Sequence, residues 1–466
     1  MKFKDDFIFG AATAAYQCEG STQAYGKGKT AWDDFLAAQG RFTGDPASDF
    51  YHQYPVDLKL CRQFGINGLR ISIAWSRIFP EGKGRINREG VDFYHRVFRE
   101  CRKNNVEPFV TLHHFDTPAA LHSKGDFLSR DTIDAFLAYA QFCFEEYKDE
   151  VKYWFTFNEV WPVATSQYIE GTFPPGITYD ITKAVQSMHG MMVAHALAVN
   201  AYKEKGYTGK IGIIQSLETK YPDNPDDPDD VKAAKVEDIL ASQFVLDATF
   251  LGYYSDETME IIKEIVEKNP GVIDIDPADL EIMKKAAAQN DYLGMNQYQS
   301  HFVKAYNGEN DIHHNGTGEK GTRKFKLKGI GEHVFRPEIP KTDWDWNIYP
   351  QGMYDMLMRI AEQYPGYKEI FITENGLGYK DVFEDGLIFD EPRIEYIRDH
   401  LNAVQRAVQD GVHVSGYFVW SLMDVFSWSN GYNKRYGLFY TDYETQKRYP
   451  KASAYWYKRV SETKEL

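Results

Sequence analysis

The sequence predicts an α/β protein, a single-domain (β/α)₈ barrel with long βα loops. Short apolar runs rich in strand-forming residues recur eight times along the 466 residues. They are nearly continuous in apolar character rather than alternating, as parallel strands covered on both faces must be. Amphipathic, helix-length stretches lie between them.

The runs, in order, are FIFGAATAAYQ (7–17), INGLRISIAW (66–75), EPFVTLHHF (107–115) and VKYWFTFNE (151–159). KIGIIQSLE (210–218), DYLGMNQYQ (291–299), EIFITENG (369–376) and VSGYFVWSL (414–422) follow. Among the helical stretches are DTIDAFLAYAQFCFEEY (131–147) and PRIEYIRDHLNAVQRAVQD (392–410), with apolar residues three and four apart. No linker divides the chain. The acidic, proline-rich YPDNPDDPDD (221–230) reads as a surface loop and lacks the glycine of a calcium-binding loop. The long segment 301–349 shows little periodicity, and loops of that length in a compact domain are often lids. It is expected to cover the barrel mouth.

Composition narrows the function. With 43% hydrophobic and 26% charged residues the chain is an ordinary globular protein, long enough for a large core without a disulfide or metal staple. Its formal charge of −15 argues against nucleic acid as a partner, since backbone binding needs a basic face. Aromatic residues make up 15%, a composition that suits sugar clefts as well as cores. The four cysteines stand at least forty residues apart, with no CxxC pair. No apolar run is long enough for a membrane span, and the opening MKFKDDFIFG lacks a signal-peptide core. A reduced, cytoplasmic protein is expected; the oligomeric state is not readable.

Three motif matches carry no weight. GKGKT (26–30) ends like a phosphate-binding loop, but Gln23 stands where its first glycine is required. His113-His114 and His313-His314 lack the spacing of a zinc helix, and no metal or other cofactor is expected. Asn315-Gly-Thr317 is a glycosylation sequon, idle in the cytoplasm.

In a barrel, active residues project from the C-terminal ends of the strands. Two strand ends carry glutamate in the same setting: Thr156-Phe157-Asn158-Glu159 and Ile372-Thr373-Glu374-Asn375-Gly376. Either one alone is equally a strand-end carboxylate bonded to a neighbouring loop. Two across one cleft can cleave a glycosidic bond, one protonating the leaving oxygen while the other attacks or activates water. Asn158 is placed to hydrogen-bond the sugar 2-hydroxyl.

These stretches, with the opening FIFGAATAAYQCEG and TLHHFD, resemble glycoside hydrolase family 1, from about residue 5 to 460 and in the right order and spacing. The resemblance implies a retaining enzyme with Glu159 as general acid/base and Glu374 as nucleophile. It places Gln17, His114, Asn158 and Trp420 around the sugar, and Asn296 and Tyr298 beside the nucleophile. A retaining pair stands about 5–5.5 Å apart. Glu159 must then be protonated and Glu374 ionised, with Tyr298 donating to Glu374. His114 also reads as an interior histidine, and Trp420 as core packing.

The stretch DVFSWSNGYNKRYG (424–437) sets a lysine and an arginine in an acidic chain. It reads either as a turn with a solvated basic tip or as an anion site. In members of the family acting on unphosphorylated sugars an acidic residue stands where Ser427 stands here. A carboxylate there would repel a phosphate; serine removes the repulsion and adds a donor. Lys434 supplies a point charge and Tyr436 a further donor. The spacing Ser427-x6-Lys434-x-Tyr436 resembles the phosphosugar branch of the family. Arg435 is left out, because strand alternation turns it away from Lys434. Trp428, with WSLMDVFSWSNGY and TDWDWNIYP (342–350), resembles the members that cleave 6-phospho-β-galactosides; its indole N–H suits an axial O4 acceptor. Packing of Trp428 against its loop is the plainer reading. The substrate so implied is a phosphorylated disaccharide, chiefly lactose 6-phosphate. A 6-phosphoglucoside hydrolase and a non-catalytic sugar-phosphate sensor are the alternatives.

Overall fold

The computed structural model describes residues 2–466. Eight strands close into a parallel barrel: Ile8–Ala12, Gly68–Ser72, Glu107–His113, Tyr153–Asn158, Lys210–Ser216, Tyr292–Asn296, Ile370–Asn375 and Val414–Trp420. Each lies inside one of the eight apolar runs. Neighbours in sequence are neighbours in the sheet, and the first strand pairs with the eighth, Ala12 opposite Trp420. Helices run outside, among them Arg130–Tyr147 and Glu391–Gln409, within a residue of the amphipathic stretches.

Side chains fill the barrel. Phe109 stacks on Tyr153 with centroids 4.3 Å apart and meets Phe418 at 4.8 Å and Phe371 at 5.4 Å across the barrel. This aromatic floor gives the mouth a rigid base. Among the described residues no helix is long and apolar enough to cross a membrane.

Two expectations about loops are corrected. The segment 301–349 is not irregular throughout: His301–Lys304, Asp311–His313, Lys324–Leu327 and Gly331–Val334 join Lys220–Pro222 in a five-stranded sheet. These strands are three or four residues long, too short for a period-2 pattern to register. The stretch 221–230 is only partly loop. Tyr221 and Pro222 belong to that sheet, and Pro228 opens the helix Pro228–Asp238, where its missing N–H costs nothing. Asp227 caps this helix by accepting from the Asp229 N–H at 2.9 Å.

Asn315, the sequon asparagine, is buried. Its amide donates to Asp345 Oδ2 at 3.0 Å and its Oδ1 accepts from the Gly318 N–H at 2.8 Å. It organises the inserted segment.

Candidate active site

The fourth and seventh strands deliver the two glutamates, and in both the ladder is interrupted just before the functional residue. The register shifts between Phe155 and Asn158, and again between Ile372 and Glu374. Such irregularities bend a strand and re-aim its side chains. Glu159 follows its strand with φ of 53°, the left-handed region, before the helix Val160–Tyr168. A non-glycine residue held there stores local strain, a recurrent feature of functional sites. After Glu374, Gly376 is required by space: a Cβ would stand 1.9 Å from the Trp420 carbonyl oxygen on the eighth strand.

Glu159 and Glu374 line one cavity of about 220 Å³ at the C-terminal end of the barrel. Tyr298 donates to Glu374 Oε2 at 2.5 Å, as the sequence implies. Asn296 is adjacent to Glu374 in the ladder, yet its amide donates elsewhere, to Glu159 Oε1 at 2.9 Å and Asn158 Oδ1 at 3.0 Å. Thr373 fixes this orientation by donating to Asn296 Oδ1 at 2.7 Å.

Burial is the larger cause and the charge of Glu374 the second in pushing the Glu159 carboxyl up to about 8; the Asn296 hydrogen bond opposes them. One carboxyl of the pair is therefore protonated at neutral pH. Its neighbour Glu374 faces a cation, the guanidinium of Arg70.

Arg70 is the functional residue the sequence reading missed. From the second strand it donates to Glu374, to Asn158 Oδ1 at 2.7 Å and to Thr111 Oγ1 at 3.0 Å. A signal was present: an arginine inside GLRIS, a run covered on both faces, must be paired to be tolerated. Its Nη2 also lies 3.2 Å from His114 Nδ1. A guanidinium can only donate, so Nδ1 accepts and the proton of neutral His114 sits on Nε2. Burial, then Arg70, depresses the His114 pKa well below the usual histidine range and keeps it neutral. The Asn158 amide nitrogen, 3.4 Å from His114 Nε2, then meets a second donor, and both groups are open to oxygens of a ligand.

Gln17, His114, Trp420 and Trp428 line the same cavity, and Asn158 and Asn296 reach it through the hydrogen bond of Asn296 to Glu159. Gln17 donates to the Phe426 carbonyl at 2.7 Å, and its buried Oε1 has no partner among the described residues. Trp420 stacks on His114, centroids 5.8 Å apart. Trp428 stacks on Tyr16 at 5.4 Å and packs on Trp32 at 4.3 Å, while still lining the cavity. Trp428 thus packs as the plainer reading has it and also presents a face to the cavity.

Ser427, Lys434 and Tyr436 also line the cavity. The tip is not a solvated turn: Lys434 is 2% exposed. Gly378 leaves it room, since a Cβ there would stand 2.4 Å from Lys434 Cε. Arg435 points away, as alternation predicts, and donates to Asp424 Oδ2 at 2.7 Å. Asp424 also accepts from the Gly437 N–H at 2.9 Å and from Lys451 Nζ at 2.7 Å, anchoring the loop from below.

A second cavity of about 190 Å³ shares Glu159, Glu170, Tyr298, Arg323 and Trp346 with the first. Glu218 and Lys220 add to a polar wall there. Glu170, Glu218, Lys220 and Arg323 are not singled out in the sequence reading, because loop carboxylates and basic residues carry no local pattern.

A (β/α)₈ barrel with two glutamates at the ends of its fourth and seventh strands, one protonated and one beside an arginine, is the architecture of a glycosidase site. Residues 1–466 match the model of glycosyl hydrolase family 1, and the chain belongs to that family. It is 60% identical over 465 residues to the 6-phospho-beta-galactosidase of Leptotrichia buccalis, covering all of this chain and 99% of that protein. The 6-phospho-beta-galactosidase of Streptococcus equi subsp. zooepidemicus is 59% identical with the same coverage. Among solved structures, the family 1 β-glucosidase of Thermotoga maritima in complex with isofagomine lactam superposes with a TM-score of 0.89. It shares 35% identity, with 100% of this chain and 99% of that chain covered.

Proposed function

We propose that the protein is a retaining 6-phospho-β-galactosidase, hydrolysing lactose 6-phosphate and related 6-phospho-β-galactosides to galactose 6-phosphate and the free aglycone. One observation carries the reading. A single cavity is lined both by Glu159 and Glu374 and by Ser427, Lys434 and Tyr436. The names borne by its relatives at 57–60% identity agree.

In the first step the Glu374 carboxylate attacks the anomeric carbon. The bond to the leaving oxygen breaks, and that oxygen takes the proton of Glu159. Arg70 and Tyr298 orient the attacking carboxylate, and Asn158 hydrogen-bonds the 2-hydroxyl. Once the ester has formed, Glu374 no longer bears charge, so the Glu159 carboxylate left behind is a better match to its second task. It takes a proton from water, whose oxygen attacks the anomeric carbon and releases Glu374. Gln17 and His114 contact the sugar hydroxyls, and Trp420 offers a ring face.

Ser427, Lys434 and Tyr436 hold the 6-phosphate. The Trp428 N–H faces the axial O4, which favours galactose over glucose. The whole chain acts as one catalytic unit in the cytoplasm, where phosphorylated sugars are retained. Initial rates on paired nitrophenyl galactoside and glucoside 6-phosphates, with the unphosphorylated pair as controls, test this. A preference of tenfold or more for the phosphorylated galactoside is expected; equal rates with the glucoside 6-phosphate would reassign the specificity, and no turnover would leave a sugar-phosphate sensor.

A further inference from the structure

Lys434 is a lysine without an anionic partner. It is almost wholly buried, and no carboxylate among the described residues forms an ion pair with it. Its Nζ instead lies over three ring faces: Trp346 at 3.6 Å, Trp344 at 5.0 Å and Tyr436 at 5.2 Å from the centroids. Cations are attracted to such faces, most strongly where water is scarce.

The two tryptophans come from a different loop, the TDWDW stretch before the helix Gln351–Gln363. Their placement is built. The Thr342 hydroxyl oxygen accepts from the Trp344 and Trp346 N–H groups, each at 3.2 Å. Between them Asp345, with φ of 61°, accepts from the Gly321 N–H at 2.7 Å and from the N–H groups of Thr322 and Arg323 at 3.1 Å. The backbone is pinned so that alternate residues, 344 and 346, present rings to one lysine.

We propose that Trp344 and Trp346 are positioning residues for phosphate recognition, an aromatic cradle that holds Lys434 in place without neutralising it. The proposal rests on Lys434 being the cation of the phosphate site. A carboxylate partner would fix the lysine equally well, but the substrate phosphate would then have to displace it or meet its repulsion. Ring faces give orientation with no net negative charge, so the Lys434 amine meets no competing anion when the phosphate arrives. Burial, then Arg323, depresses the Lys434 pKa well below the usual lysine range; with no anion beside it the ammonium form is disfavoured, and a phosphate arriving there favours it again. The titratable groups facing it, Arg323, His314 and Tyr436, supply no anion at neutral pH. The cradle also explains why the inserted segment, which touches neither glutamate's hydrogen-bonding groups, carries two buried or half-buried indoles beside the cavity.

Trp344 is the cleaner test, because it does not line the cavity and its indole N–H makes no hydrogen bond that phenylalanine would lose. Values of kcat and KM are measured on nitrophenyl galactoside 6-phosphate and on the unphosphorylated galactoside for the parent, Trp344→Phe, Trp344→Leu and Lys434→Met. Trp344→Leu is expected to raise KM for the phosphorylated substrate about tenfold with kcat nearly unchanged. Trp344→Phe, which keeps a weaker ring face, should raise it two- to threefold, and neither variant should alter the unphosphorylated substrate by as much as twofold. Equal losses on both substrates, or no change in KM, overturn the cradle. If Trp344→Leu does not fold, the same criteria apply to Trp344→Phe. Lys434→Met separates the layers: if it weakens both substrates alike, the phosphate site itself falls, whereas a selective loss there with silent Trp344 variants leaves the site and removes only the cradle.

Discussion

Arg70 and Glu374, 304 residues apart in sequence, meet as a fully buried ion pair inside the barrel mouth. The pair is expected to behave as a unit. Arg70→Met leaves a buried carboxylate without its cation, which costs about 3–5 kcal/mol. Adding Glu374→Gln should restore a good part of that stability although both variants are inactive. Denaturant unfolding of the two single variants and the double variant measures the coupling; additive losses would show that the contact carries none.

The acid is tested through its leaving group. Glu159→Gln should slow reaction with a sugar leaving group by roughly 10²–10⁴, the range of general acid catalysis. Nitrophenolate needs little protonation, so the loss on a nitrophenyl substrate should be far smaller in the glycosylation step. Equal losses on both would remove Glu159 from the role.

Glu159 is pushed up to about 8, so it carries its proton at neutral pH and loses it as pH rises through that value. The acid-dependent rate, kcat/KM on lactose 6-phosphate, should fall about tenfold per pH unit above it. Because the charge of Glu374 is the second cause of the shift, Glu374→Gln should move the Glu159 titration down while burial keeps it above the ordinary carboxylate range. Carbon-13 NMR of the labelled glutamate side chains reads this directly; an unmoved titration would mean that the two carboxyls do not sense each other.

The nucleophile is identified by trapping. A 2-fluoro galactoside 6-phosphate with a good leaving group should leave one covalent ester, and peptide mapping should find it on Glu374. A label on any other residue overturns the assignment.

Ser427→Glu places a carboxylate where the phosphate is proposed to sit. Repulsion of several kcal/mol in a water-poor site lowers kcat/KM for the phosphorylated substrate by roughly 10²–10⁴. The unphosphorylated galactoside, whose 6-hydroxyl can donate to that carboxylate, should fall far less or improve. If both fall equally, DVFSWSNGYNKRYG is a structural turn.

The sequence by itself determined the eight strands and the chain positions of both glutamates and of the DVFSWSNGYNKRYG loop. Apolar continuity, helical periodicity and short motifs are properties of neighbouring residues, and they survive in one dimension. Even the outward turn of Arg435 follows from local alternation, and it is found paired with Asp424. What only the tertiary structure decided are the partners. Arg70 faces Glu374 because a closed barrel brings the second strand across from the seventh; no spacing in the chain encodes that distance. Asn296 bonds Glu159 rather than Glu374 beside it, because Thr373 holds its amide in one orientation. The short strands of the inserted sheet exist through pairing with one another, not through propensity. The bare charge of Lys434 was likewise invisible in KRYG. It depends on rings about 90 residues earlier in the chain being folded over it, with no carboxylate among the described residues pairing with it.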